Sequence, residues 1–161
     1  KIVPITVAYG DGIGPEIMDA VHLGGVGGTY GGSPVAAVAA IEAVKLLSSP
    51  SFLSQSTRFG EKIEALMAPW VSKYPCVGDV RGMGAMRLVE FVKDKKTKEP
   101  DPGIALEIIK EAVSNGIILI RAGLYSNCIR LLPPIVMTDD QLEEGLSVLE
   151  NAIANKSFAA V

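Results

Sequence analysis

The chain has 161 residues, of which 48% are hydrophobic, and a formal net charge of −3. This length fits a single domain with one hydrophobic core, and the acidic balance excludes the basic surface that nucleic-acid binding requires. No apolar stretch approaches the roughly 20 uncharged residues of a membrane-spanning helix, and no signal peptide is expected.

The first twenty residues predict a strand, a turn and the start of a helix. Residues 2–9 are rich in Val, Ile, Thr and Tyr, which favours a strand, and Pro4 suits its edge or start. The glycines of residues 10–14 form a turn, and Pro15 and Glu16 suit a first helical turn. This is the outline of a nucleotide-binding unit, but the glycine spacing does not match G-x-G-x-x-G.

Residues 22–34, His-Leu-Gly-Gly-Val-Gly-Gly-Thr-Tyr-Gly-Gly-Ser-Pro, are the most glycine-rich stretch of the chain. Successive glycines expose backbone N–H groups, and a helix N-terminus after them favours an anion. Thr29 adds a hydroxyl, although a flexible connector has the same composition. Ser33 suits the N-cap and Pro34 the first position of a helix over residues 35–47. Because that helix is apolar nearly all round, we expect it to be deeply buried.

A second helix is predicted over residues 52–73, with a bend at Pro69. Its apolar residues recur at helical spacing and indicate a core-facing stripe. They are Phe59, Ile63, Leu66 and Trp70. Residues 77–92 then predict two short strands around the Gly82-Met-Gly84 turn. Arg81, just before that turn, is expected to have a structural role such as binding carbonyls.

Asp101 and Pro102 predict the start of a helix whose inner face holds Ala105, Ile108, Ile109 and Ala112. The apolar run 117–120 predicts a strand buried on both faces, and residues 128–132 predict another strand. Thr138-Asp-Asp-Gln141 is a capping box for the last helix. The buried stripe of that helix is Leu142, Leu146, Leu149 and Ile153. These elements predict an α/β (α+β) fold, a mixed or antiparallel sheet of about four or five strands with helices mainly on one face.

Cysteine and histidine usage limits the chemistry. Cys76 and Cys128 lack metal-site spacing, so two reduced thiols in a cytoplasmic protein are expected. His22 is the only histidine, which leaves little material for a metal site or a catalytic triad. No metal site and no catalytic residue are therefore predicted in this chain.

Arg130 is the strongest candidate binding residue outside the glycine loop. It lies between Ile129 and Leu131, before a double proline. A guanidinium in apolar surroundings is costly unless it meets a carboxylate or several carbonyls. Its planar fork suits bidentate binding of a ligand carboxylate. The alternative is an internal ion pair with an acidic residue of a neighbouring helix.

Three segments resemble class III pyridoxal-phosphate aminotransferases, closest to the 4-aminobutyrate type. They are residues 27–34, with Ser33 where the family has Asn, and residues 80–84 and 127–134. The resemblance covers residues 16–161 and implies the small C-terminal domain of such an enzyme. It implies that Gly28 and Thr29 bind the phosphate of pyridoxal phosphate in a neighbouring subunit, hence a possible homo-oligomer. It implies that Arg130 binds the substrate carboxylate.

A second resemblance covers only residues 1–20. Gly-Asp-Gly-Ile-Gly-Pro-Glu, at residues 10–16, is similar to the N-terminus of isocitrate and isopropylmalate dehydrogenases. Residues 16–20 suit both families, so a chimera joined within this shared helix is one hypothesis. An NAD(P)-binding protein and a structural or partner-binding module are the alternative functions.

The lysine to which family members attach their coenzyme lies about thirty residues before the glycine-threonine loop. That position falls upstream of this sequence, and none of Lys45, Lys62, Lys73 or Lys110 matches it. Covalent attachment of the coenzyme requires that amine. We therefore expect the chain to be inactive alone, with no covalently bound coenzyme.

Overall fold

A computed structural model describes residues 32–158. The chain divides into two compact units, residues 1–49 and 50–161. The predicted N-terminal strand and glycine turn, as well as Gly28 and Thr29, lie outside the described residues. The described part comprises one helix of the first unit and the helices and sheet of the second.

The helix of the first unit, α1, spans Pro34–Leu47. Ser33 occupies the N-cap, but its side chain makes no capping hydrogen bond, and its carbonyl accepts from the Ala37 amide at 2.9 Å. None of the helix residues is buried, so the prediction of a deeply buried helix is wrong. Hydropathy indicates which surface favours burial, whereas burial also requires a second surface that covers it.

Helix α2 spans Pro50–Met67 and a short helix, α3, spans Trp70–Lys73. The single helix predicted over residues 52–73 is thus divided at Pro69, as a residue without a backbone N–H favours. The predicted apolar stripe is confirmed, because Phe59, Ile63 and Trp70 are buried and Leu66 is half-buried against them.

Within the described residues, four strands form one antiparallel sheet in the order β1-β2-β4-β3. The strands are β1 Val77–Met83, β2 Met86–Phe91, β3 Ile120–Ala122 and β4 Cys128–Leu131. A two-residue turn that begins at Gly84 joins β1 to β2, and Gly84 has a φ of 54°. Glycine adopts this left-handed value without strain. The two strands predicted over residues 77–92 are confirmed, but Gly82 and Met83, which were predicted to lie in the turn, belong to β1.

The apolar run 117–120 is not the doubly buried strand that its composition predicts. Only Ile120 belongs to a strand, and that strand, β3, lies at the edge of the sheet. Ile118 is 90% exposed and Ile120 is 55% exposed. Continuous apolar sequence is typical of a strand covered on both faces. Here the same sequence borders an open cavity, and composition does not distinguish the two environments.

The two remaining helices are α4, Pro102–Ser114, and α5, Asp139–Phe158. Both predicted N-terminal caps are confirmed. Asp101 Oδ1 accepts from the Ile104 amide at 3.0 Å. In the capping box, the Thr138 amide donates to Gln141 Oε1 at 3.0 Å, and the Gln141 amide donates to Thr138 Oγ1 at 3.3 Å. These bonds satisfy amides that have no partner within the helix.

The helices of the second unit pack on one face of the sheet. The sheet residues buried against them include Val89, Phe91 and Ile129. The helices contribute Phe59, Ile63, Met67, Trp70, Ala105, Ile108, Ala112, Leu142, Leu146, Leu149 and Ile153. The predicted α/β architecture is confirmed. No single helix between residues 32 and 158 is long and apolar enough to cross a membrane.

Candidate functional site

The sheet face opposite the helices carries a row of four cross-strand neighbours. Arg81 pairs with Leu88, Leu88 with Arg130, and Arg130 with Ile120. Directly paired residues project from the same face of an antiparallel sheet. Since neighbouring strands lie about 4.8 Å apart, the two arginines are roughly 10 Å apart at the backbone. We call this row the arginine row.

Arg81 is already neutralised by acidic neighbours. Its Nη1 lies 2.7 Å from Asp79 Oδ2 and 2.5 Å from Glu90 Oε2. Hydrogen bonds to these carboxylates raise the pKa of Arg81, with Asp79 the larger cause. The structural role predicted for Arg81 therefore uses carboxylates rather than carbonyls. Two acids on one guanidinium leave it poorly suited to bind a further anion.

Arg130, in contrast, is exposed, so water rather than an apolar environment surrounds it. Among residues 32–158, no carboxylate or carbonyl forms an ion pair or hydrogen bond with its guanidinium. The predicted alternative, an internal ion pair with a neighbouring helix, is therefore not found in this part of the chain. Strand β4 lies between β2 and β3 and fixes the Arg130 backbone on both sides.

An open cavity of about 560 Å³ lies beside Arg130. It extends between helix α5 and the segments 116–120 and 130–134. Among its described lining residues, Arg130 is the only charged one and Gln141 is the only other with a polar side chain. Gln141 is already bonded within the capping box. Among the described residues, the wall of the cavity is therefore almost entirely apolar.

Cys128 lies on the same strand as Arg130 but is not poised as a nucleophile. It is 3% exposed, and burial raises the pKa of its thiol, as does the charge of Glu90. A raised thiol pKa keeps the unreactive protonated form at neutral pH. Cys76 is likewise free and buried, so the prediction of two reduced thiols is confirmed.

Arg87 is a buried structural arginine whose contacts were not predicted from the sequence. It is only 6% exposed. Its Nε donates to the Gly84 carbonyl at 3.1 Å, its Nη1 to the Gly82 carbonyl at 3.3 Å, and its Nη2 to the Gly60 carbonyl at 2.9 Å. Nη2 also lies 3.0 Å from Glu64 Oε2. This residue ties the β1–β2 hairpin to helix α2. Its position among the apolar residues of β2 was the sequence signal that could have indicated a buried arginine.

The model of the aminotransferase class-III family matches residues 12–153. The chain is 39% identical over 134 residues to the 4-aminobutyrate aminotransferase GabT of Escherichia coli, covering 83% of this chain and 32% of that protein. It is 40% identical over 134 residues to the 5-aminovalerate aminotransferase DavT of Pseudomonas aeruginosa, with coverages of 83% and 32%.

This chain belongs to the class III aminotransferases. Among solved structures, a Bacillus anthracis aminotransferase is similar with a TM-score of 0.69 and 28% identity, over 79% of this chain and 29% of that one. The chain spans about a third of the length of the curated relatives that it matches. The family match begins at residue 12, inside the glycine turn. The resemblance of residues 1–20 to dehydrogenases, and with it the chimera, gains no support from these comparisons.

Class III aminotransferases depend on pyridoxal phosphate. No lysine and no acidic residue is among the described residues that line the cavity, so this cavity does not supply the amine that covalent attachment of the coenzyme requires. The exposed guanidinium of Arg130 instead has the chemistry to bind a carboxylate. Gly28 and Thr29, which the family resemblance assigns to the coenzyme phosphate, lie outside the described residues.

Proposed function

We propose that this chain is the C-terminal, substrate-binding part of a 4-aminobutyrate-type aminotransferase, and that Arg130 binds the substrate carboxylate. The observation that carries the proposal is the contrast within the arginine row. Arg81 is held by two carboxylates, whereas Arg130 has no acidic partner among the described residues. A free guanidinium on a fixed strand is ready to bind a carboxylate without first breaking an ion pair.

The surroundings of Arg130 support a substrate with a short aliphatic chain. Its cross-strand neighbours are Leu88 and Ile120, and Leu132 follows two positions along the chain. A carboxylate that binds Arg130 would place its methylene groups beside these apolar side chains. This is the chemistry of 4-aminobutyrate as donor, with 2-oxoglutarate as the acceptor of the amino group.

For the coenzyme, we propose that Gly28 and Thr29 bind its phosphate across a subunit interface, as the family resemblance implies. When bound, pyridoxal phosphate supplies the aldehyde that carries the amino group between donor and acceptor. This assignment requires a homo-oligomer. We also propose that the 161 residues alone do not transaminate, because none of their lysines matches the one to which the family attaches the coenzyme.

Carboxylate binding tests the proposal directly. The purified 161-residue chain is titrated with 4-aminobutyrate and with 2-oxoglutarate, and binding is followed by ¹H–¹⁵N NMR. Arg130→Gln should weaken both at least tenfold, since a charged hydrogen bond contributes about 1.5–3 kcal/mol. Arg81→Gln is the matched control in the same row and should change either affinity by less than twofold. Equal losses in the two variants would contradict the assignment of Arg130.

Activity is tested separately from binding. The chain is incubated with pyridoxal phosphate, 4-aminobutyrate and 2-oxoglutarate, and glutamate is measured. We expect no glutamate above the rate of the same mixture without protein. Glutamate formation that Arg130→Gln abolishes would overturn the proposed inactivity while leaving the carboxylate site intact.

A further inference from the structure

The two edges of the sheet differ in how they are protected against pairing with another chain. Strands β1 and β3 are the outer strands, so one side of each has no neighbouring strand among residues 32–158. Edge strands leave backbone N–H and C=O groups unpaired, and proteins limit further pairing there with bulges and charged side chains. Strand β1 has both, because its register shifts between Val77 and Asp79 and because Asp79 pairs with Arg81 at 2.7 Å.

Strand β3 is less protected. Its three residues pair with β4 in a regular register without a bulge. Ile120 is 55% exposed, and Ile118, just before the strand, is 90% exposed. Arg121 is the only charged residue of the strand. This edge therefore combines unpaired backbone groups with exposed apolar side chains, a combination that favours the addition of a further strand.

Arg121 indicates the charge of a strand that would complement this edge. It pairs with Ile129, which is buried against the helices, so Arg121 lies on the helix face of the sheet, opposite to Arg130. Arg121 is exposed, and no carboxylate or carbonyl of the described residues forms an ion pair or hydrogen bond with its guanidinium. Opposite charges attract when they are direct cross-strand neighbours. An acidic residue across from Arg121 would therefore complement the edge.

A second copy of this chain complements the edge less well. A symmetric antiparallel pair of β3 strands centred on Arg121 would place two guanidinium groups opposite each other, and like charges at such positions are destabilising. Strand β1 of a second copy would bring Asp79, which already pairs with Arg81. A different protein with a free acidic residue avoids both conflicts.

We propose that the outer edge of β3 binds an extended segment of another protein by strand addition, with an acidic residue across from Arg121. The residues on either side of that acid then lie on the face of Ile120, where apolar side chains cover its exposed surface. Backbone hydrogen bonds supply affinity, and the charge pair and apolar contacts supply specificity. This surface does not use Arg130, so it is independent of the proposed function.

The test uses the fluorescein-labelled, C-terminally amidated peptide Ser-Thr-Val-Glu-Val-Thr-Ser and the purified 161-residue chain, with binding measured by fluorescence anisotropy. The same peptide with Lys in place of Glu should bind about fivefold more weakly, because attraction to Arg121 becomes repulsion. Two further peptides carry N-methyl groups on one or the other alternate set of amides. Only one set faces the edge, so one peptide should bind about tenfold more weakly and the other should not.

Three variants locate the binding surface. Arg121→Glu should weaken the Glu peptide about fivefold and strengthen the Lys peptide by a similar factor. Unfolding cannot produce this exchange of preference. Lys96→Glu makes the same change of charge at an exposed residue of another loop, and both peptides should stay within twofold. Arg130→Gln should also leave both within twofold, which separates this surface from the carboxylate site.

Several outcomes would overturn the proposal. Equal binding of the Glu and Lys peptides, or equal losses in Arg121→Glu and Lys96→Glu, would remove Arg121 from the surface. Equal effects of the two sets of N-methyl groups would rule out strand addition. Self-association of the chain that the Glu peptide disrupts, measured by sedimentation velocity, would assign the edge to a second copy instead of another protein.

Discussion

The contacts of Arg87 lead to a specific expectation for stability. Arg87→Met keeps the apolar stem but removes every donor of the guanidinium. The Gly60 carbonyl and the half-buried Gly84 carbonyl would lose a charged partner, at about 1–3 kcal/mol each. The Gly82 carbonyl is on an exposed residue and Glu64 is 66% exposed, so both regain water. We expect a loss of about 3 kcal/mol in the free energy of unfolding.

Urea denaturation at pH 7, followed by far-ultraviolet circular dichroism, measures this loss. Arg81→Met is the matched control, because it removes an arginine of the same hairpin that is 52% exposed and pairs at the surface. Exposed ion pairs contribute at most about 1 kcal/mol. A midpoint shift for Arg87→Met no larger than that for Arg81→Met would refute the idea that Arg87 ties the hairpin to helix α2.

Other expectations concern helices and their ends. Gly60→Ala should destabilise the chain by about 2 kcal/mol in urea denaturation, since its Cβ would meet the hairpin backbone at 2.7 Å. Gly145→Ala should instead stabilise it by up to about 1 kcal/mol in the same assay, because its Cβ meets only an ordinary contact. Asp101→Ala should cost about 1 kcal/mol through loss of the cap to the α4 amide, again by urea denaturation. Hydrogen bonds from Arg58, then Lys62, lower the pKa of Asp139 in the folded chain. The ionised carboxylate therefore stabilises the fold above its unfolded pKa of about 4. This contribution is lost as the pH falls through the lower pKa of the folded state. In acid titrations followed by circular dichroism, Arg58→Gln should weaken that dependence below about pH 4, and an unchanged acid limb would contradict the assigned pair.

Structural features that depend on residues close together in the sequence were predicted correctly. The cap at Asp101, the capping box at Thr138 and Gln141, the break at Pro69 and the turn at Gly84 are all present as predicted. Each depends on backbone conformation or hydrogen bonds within about four residues. The family motifs are local in the same sense, and they carried the assignment to class III aminotransferases.

The roles of the three arginines near the sheet were decided only by the tertiary structure. Arg87 meets the Gly60 carbonyl, 27 positions away in sequence, and Arg81 meets Glu90 across the hairpin. Sheet pairing places Arg130 on the same face as Arg81, opposite the helices, but none of the residues that the structure describes binds its guanidinium there. No composition or spacing rule distinguishes these environments, since each is fixed by which segments the fold brings together.

The same reason explains where burial was misjudged. For α1 and for residues 117–120, the amino-acid sequence determined that the surfaces are apolar, and that much is correct. Whether another element covers them depends on sheet order and edges, which are properties of the whole fold. The sequence alone determined the family, the helices and their caps. The tertiary structure decided that Arg130 has no partner among residues 32–158 while Arg81 and Arg87 are paired, because charge neutralisation and burial depend on residues that are distant along the chain.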